Sequence, residues 1–399
     1  MKNRRLQIPS GMQDTLPGEC LRKRQLEQRL REQFRLSGYQ EIETPVLEYY
    51  DALDDQTYGY PLERVWKTFD SQGRLLAVRP DTTIPAVRLA AGRLRNAPLP
   101  LRLCYLQPAA QYQSETLSLL CEETQAGVEL MGASSPLADA EVICLAIECL
   151  RQAGLRDFQI ELGQSAFFDG FMREAGLSPE QCAALREMTA AKNTLAMQLY
   201  LDQQAVPREV TRRLMRLPRL YGDTALLTEA ASLTRHPLCE AALENLRQIV
   251  DAVAEAGFGA YLSLDLGMVH AQNYYSGMIF RGMTADLGQP LLSGGRYDGL
   301  PGRFGRELPA VGFALHEKLM LMALERQGEA FPEPAPQVLI AFAPGCYREA
   351  LAACREQRAA GRSAALLFDV SPEELQARGA AGRAETLWIG VDAGKEAAR

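Results

Sequence analysis

The sequence has no apolar run approaching the roughly 18 residues that a membrane span requires. Its first residues, MKNRRLQIPSGMQD, carry basic side chains with no apolar stretch behind them. A secretory signal is therefore not expected, and the chain is expected in the cytoplasm. There is no Cys-x-x-Cys, and the three histidines, His236, His270 and His316, stand far apart. A zinc site is thus not expected, and the nine scattered cysteines are expected to be reduced and mostly buried. A basic surplus is also missing. Lys and Arg number 43 against 50 Asp and Glu, a net charge of −7, which speaks against a nucleic-acid partner. No internal repeat or low-complexity tract occurs.

What is present suits a soluble globular protein. The 399 residues are 47% apolar and 23% charged, enough for a large core and two or three domains. Leu26, Leu30 and Phe34 recur every four residues, predicting a helix over 19–37 that stops at Gly38. Residues 39–45 read as a short strand ended by Pro45. Residues 66–80 read as two strands joined at Asp70-Ser71-Gln72-Gly73, delivering Arg79, Pro80, Asp81, Thr82 and Thr83 to a strand end. A helix carrying Val87, Leu89 and Leu94 should follow.

Strands are predicted over 101–112 and 123–131. Alternation in the second puts Gln125 and Glu129 on one face, two residues either side of Gly127. A helix over 138–152 and a half-buried strand with Phe158, Ile160 and Leu162 come next. Residues 165–258 read as a helical insertion, broken at Pro179, Pro207, Pro218 and Pro237. The stretch 264–300 returns to strands. It holds a polar middle (His270, Gln272, Asn273), the pair Tyr274 and Tyr275, and a glycine turn over 294–299. Such a stretch suits a small polar ligand. Residues 309–326 read as strand, turn and helix. A proline-rich linker over 328–336 separates a large first domain, 1–327, from a small parallel α/β unit over 337–399.

Seven short motifs stand in register: PSGMQD at 9–14, GYQEIETPVLE at 38–48, VRPDTT at 78–83, QAGVELMG at 125–132, NYYSG at 273–277, GGRYDGL at 294–300 and VGFA at 311–314. Together they span about four-fifths of the chain. They resemble histidyl-tRNA synthetase and its catalytically inactive relatives. The resemblance implies an α+β class II synthetase-like fold, an antiparallel sheet flanked by helices, with a helical insertion. It also implies a homodimer built around the Pro45 region.

The departures from the enzyme's pattern point to the inactive branch. The strand arginine that would hold the α-phosphate and the substrate carboxylate is replaced by Gln111. Where the enzyme has a basic loop, the chain reads Ser118-Leu119-Leu120-Cys121-Glu122-Glu123. The histidine-specific Arg-Gly-Leu-Asp-Tyr-Tyr becomes His270-Ala271-Gln272-Asn273-Tyr274-Tyr275, and the closing Gly-Leu-Glu-Arg becomes Leu315-His316-Glu317-Lys318. Adenylation builds negative charge that preorganised cations must meet, and losing one such donor costs ~10²–10³ in rate. Three arginine positions are altered together.

The amino-acid half of the site is kept. By resemblance, a histidine pocket would comprise Asp81, Thr83, Gln111, Gln125, Glu129, His270, Tyr274 and Tyr275, with no cofactor. The chain then looks like the regulatory chain of the short-form ATP phosphoribosyltransferase. That family's members activate a separate short catalytic subunit in a hetero-octamer and relay feedback inhibition by L-histidine. The alternative is an active histidyl-tRNA synthetase. The partner of the ligand's carboxylate stays open between backbone amides and Arg79.

Overall fold

The computed structural model describes residues 6–9, 11–53, 62–111, 121–269, 275–329, 331 and 336–390. The chain forms two compact units: Met1–Thr15 with Arg22–Ala330, and Leu16–Leu21 with Phe331–Arg399.

The opening helix runs over Pro17–Leu36, two residues earlier than the periodicity predicts. Proline at a first helical position gives up an N–H that would have no helical partner anyway. Leu26, Leu30 and Phe34 are fully buried along one stripe. Gly38, at φ +80°, ends the run, where a residue with a Cβ would be strained.

A nine-stranded sheet forms the core of the first unit. Its strands are β1 (Gln40–Glu41), β5 (Leu101–Ala110), β6 (Glu122–Met131), β7 (Gln159–Gln164), β8 (Tyr221–Gly222), β9 (Leu262–Asp265), β10 (Met278–Met283), β11 (Leu292–Arg296) and β12 (Ala310–His316). The order is β1-β5-β6-β12-β11-β10-β7-β9-β8. From β5 through β7 every neighbour is antiparallel, whereas β1 on β5 and β9 on β7 are parallel. Helices Pro136–Ala153 and Pro237–Glu255 pack against each other and against this sheet. A second sheet, β2 (Leu47–Tyr49), β3 (Lys67–Phe69) and β4 (Leu75–Val78), has the order β2-β4-β3. Its β3–β4 hairpin turns where expected. Asp70 Oδ1 accepts from the backbone of Gln72 at 2.8 Å and of Arg74 at 2.9 Å, and Gly73 takes φ +78°.

Four local expectations need correction. The strand expected over 39–45 shrinks to Gln40–Glu41, because Gln107 Oε1 takes the Thr44 N–H at 2.9 Å in place of a ladder partner. Residues 294–296 are not a turn but the end of β11. Its glycines are needed for closeness: a Cβ at Gly295 would lie 2.6 Å from the Met278 carbonyl. The helix that follows the Asp81 segment covers Thr83–Ala91 and leaves Leu94 beyond it. No separate turn divides β12 from helix Glu317–Arg326.

Between β7 and β9 the prolines mark helix starts. Ser178 and Gln181 form a capping box ahead of helix Pro179–Ala190, and His236 caps helix Pro237–Glu255. The region is not wholly helical, since its Tyr221–Gly222 supplies edge strand β8.

The second unit contains three parallel strands, β13 (Val338–Phe342), β14 (Ala364–Leu366) and β15 (Glu385–Ile389), in the order β14-β13-β15. Alternation along β13 places Val338 and Ile340 in one small core and Leu339 and Ala341 in another, the double burial of a parallel strand. Ser371 and Glu374 form a second capping box ahead of helix Pro372–Gly382. Five cysteines are buried, four are half-buried, and all nine are free. No helix among the described residues is long and apolar enough to cross a membrane.

Candidate functional site

β6, β12 and β11 run side by side, and a cavity of about 220 Å³ opens over them. The floor depends on small residues. Gly312 lies opposite Glu129 in the β12–β6 register, and a Cβ there would collide with Glu129 Oε2. Gly127 lies opposite Tyr105, where a Cβ would sit 2.5 Å from the tyrosine hydroxyl. Between the two, the Glu129 side chain can turn inward beneath the cavity.

Glu129 is 1% exposed. The hydroxyls of Tyr297 and Tyr105 donate to its two oxygens, the latter at 3.2 Å. Burial drives its pKa up to about 8, a push that the hydrogen bonds from Tyr297, Thr83 and Tyr105 only partly offset and that the Asp81 charge adds to. Burial likewise lifts Tyr105 well above the ordinary phenol, so it stays a donor. Asp81 precedes helix Thr83–Ala91, and its Oδ1 accepts from Ile84 N at 3.1 Å. Burial raises it to about 6 against the pull of the Ile84 and Thr83 amides. Gln125 Oε1 accepts from Thr82 N at 3.2 Å, which ties β6 to that helix start. Gln111 Nε2 donates to Pro80 O at 2.9 Å.

Asp81, Thr83, Gln111, Gln125, Glu129 and Tyr275 all line the one cavity. His270 and Tyr274 lie outside the described residues, as do Ser118, Leu119 and Leu120 of the loop that stands where the enzyme is basic. Sequence reasoning missed Tyr297, Ser293, Gly294, Gly312 and His316 as lining residues, and Tyr105 as the support behind Glu129. Tyr297 and Gly294 belong to the GGRYDGL motif, and reading it as a strand end would have aimed them inward. Tyr105 gave no local signal, because only the pairing of β5 with β6 brings it to Glu129.

No lysine or arginine is found among the described residues that line the cavity. Arg79, a candidate for a ligand carboxylate, is spent elsewhere: it donates to Pro108 O and Thr44 O at 2.7 Å each and to Gln107 Oε1 at 2.6 Å. Lys23 is engaged by Thr124 and Glu317. At the outer end His316 Nδ1 lies 3.0 Å from both oxygens of Glu123. Among the described residues no cluster could hold a metal ion. The site therefore offers carboxyls and phenols at its deep end, complementary to a small ligand rich in N–H groups. A cationic ligand would draw the proton from Glu129 and pair with the carboxylate.

This sheet, with an acid-lined cavity over its central antiparallel strands, defines a class II aminoacyl-tRNA synthetase-like core. The family model described as Histidyl-tRNA synthetase matches residues 11–319. An ATP phosphoribosyltransferase regulatory subunit from Acetivibrio thermocellus is 41% identical over 345 residues, 86% of this chain and 81% of that one. The solved structure of an ATP phosphoribosyltransferase regulatory subunit/histidyl-tRNA synthetase from Bacillus halodurans superposes with a TM-score of 0.89. It has 31% identity and covers 98% of this chain and 100% of that one. A histidyl-tRNA synthetase from a Nostoc species, 18% identical with a TM-score of 0.81 over 98% of this chain and 93% of that one, shares the fold. The chain belongs to the histidyl-tRNA synthetase family, in its branch of ATP phosphoribosyltransferase regulatory subunits.

Proposed function

We propose that the chain is the non-catalytic regulatory subunit of a short-form ATP phosphoribosyltransferase, the first step of L-histidine biosynthesis. It activates the short catalytic subunit and binds histidine for feedback inhibition. The observation that carries this reading is the chemistry of the cavity. Asp81, Glu129 and Tyr297 are gathered over the sheet, while no Lys or Arg lines it among the described residues. Such a pocket can hold an imidazole against Glu129 and Tyr297, and an ammonium against Asp81, Thr83 and Gln125. It offers little to a transferring phosphoryl group, whose charge needs preorganised cations.

Feedback needs only moderate affinity. A Kd near ~100 μM corresponds to about −5.5 kcal/mol, and a coupling of ~1–3 kcal/mol between histidine and the catalytic partner suffices. The assembly is a homodimer through the Pro45 region that joins catalytic subunits in a hetero-octamer in the cytoplasm. Support for the dimer face comes from Val46, Leu47, Tyr49 and Phe69, large apolar residues left exposed on and beside the β2-β4-β3 sheet. Titration calorimetry with histidine tests the sensor role. One site per chain is expected, weakened by Glu129→Ala or Tyr275→Ala. No heat of binding, even with the catalytic subunit present, would remove the role.

A further inference from the structure

We propose that His316, backed by Glu123, receives the carboxylate of the bound amino acid and thereby makes the pocket select an intact α-amino acid over its decarboxylated amine. The proposal rests on the histidine-binding reading given above and adds to it the group that meets the ligand's negative end.

The cavity is chemically lopsided along the strands. Gly312 pairs with Glu129 and His316 pairs with Gln125 in the β12–β6 register. Four residues of extended strand put the two pairs about 13 Å apart. The deep end carries Glu129 with the hydroxyls of Tyr297 and Tyr105 on it, where a ligand carboxylate would meet like charge as soon as Glu129 ionises. A zwitterionic amino acid therefore enters with its cationic and N–H groups toward Glu129 and its carboxylate toward the outer end.

At that outer end the described side chains offer few free donors. Gln111 already gives one amide hydrogen to Pro80 O. Gln125 Nε2 faces Glu123 Oε1 at 3.5 Å. Arg79 is committed to backbone carbonyls and Gln107. His316 is the one side chain among the described lining residues that can carry positive charge. Its Nδ1 faces both Glu123 oxygens at 3.0 Å, which orients the ring; Nε2 is the nitrogen assigned to the ligand. A protonated imidazole donates from both nitrogens, so one ring can bridge Glu123 and the ligand's carboxylate. Glu123 thus plays the orienting part, and His316 the binding part.

The test compares histidine with histamine, which keeps the imidazole and the amine but lacks the carboxylate. Both are titrated calorimetrically into the full chain and into His316→Ala and Glu123→Gln, with thermal melts to verify folding. The unaltered chain should bind histidine about tenfold more tightly than histamine, the size of one hydrogen bond to a charged group. His316→Ala should weaken histidine about tenfold, leave histamine unchanged and so erase the preference. Glu123→Gln should reduce the preference in the same direction and serves if His316→Ala does not fold. Equal weakening of both ligands, or a preference that survives both substitutions, overturns the assignment while leaving histidine binding intact. Failure of the unaltered chain to bind histidine at all overturns the sensor reading and this assignment with it.

Discussion

Replacing Glu129 by Gln should flatten the pH dependence of stability. Glu129 is raised from 4.5 to about 8, first by burial. The unfolded chain releases this proton near the lower value and the folded chain near the higher one. Between them the folded state holds more protons, so stability falls as pH rises. Stability is fully free of this cost only below the unfolded value, and the loss levels off above the folded one. With those two values, moving from pH 5 to pH 8 costs the unaltered chain about 3.5 kcal/mol at this one group. That figure is a ceiling, because the cavity can admit water and relax. Glu129→Gln keeps the shape and removes the titration. It also disturbs the hydrogen bonds from Tyr297 and Tyr105, but that cost is the same at both pH values and cancels. Asp81, raised to about 6, gives both proteins the same additional slope. Urea unfolding at pH 5 and pH 8 reads the difference directly. The substituted chain should lose at least 1–2 kcal/mol less than the unaltered chain over that range. Equal losses would show that Glu129 ionises normally and that the cavity is wet.

Gly312→Ala should drive a Cβ into Glu129 and the Val128 carbonyl. It should cost about 1–3 kcal/mol in denaturation and abolish histidine binding in calorimetry. Arg79→Ala should destabilise by about 3 kcal/mol or more, since it strands the carbonyls of Thr44 and Pro108, and urea midpoints will show it. Ser371→Ala removes a capping box and should cost about 1 kcal/mol, read by calorimetric unfolding, while histidine affinity is unchanged.

Local signals in the sequence reported local structure well. Leu26, Leu30 and Phe34 announced a helical stripe, and Asp70 to Gly73 announced a hairpin. Period-two alternation in β6 put Gln125 and Glu129 on the same side, and both line the cavity. The failures lie where tertiary neighbours overrode local pattern. Gly294 and Gly295 resemble turn residues, yet they are strand residues whose missing side chains let β10 and β12 approach. Thr44 lost its ladder bond to the side chain of Gln107, 63 positions along the chain. Tyr105 and His316 join the site only through strand register, which a single sequence does not encode locally. The arginine losses, by contrast, were readable residue by residue, since replacing a guanidinium by Gln111 removes charge whatever the fold does.

The regulatory role is tested most directly by the steady-state rate of a short catalytic ATP phosphoribosyltransferase, measured alone, with this chain, and with this chain plus histidine. The expected result is a rate that rises when the chain is added and falls again as histidine saturates the cavity, with Glu129→Ala keeping the rise and losing the fall. A rate that this chain leaves unchanged, together with histidine-dependent ATP–pyrophosphate exchange by the chain alone, would contradict the regulatory reading and mark the protein as a working synthetase.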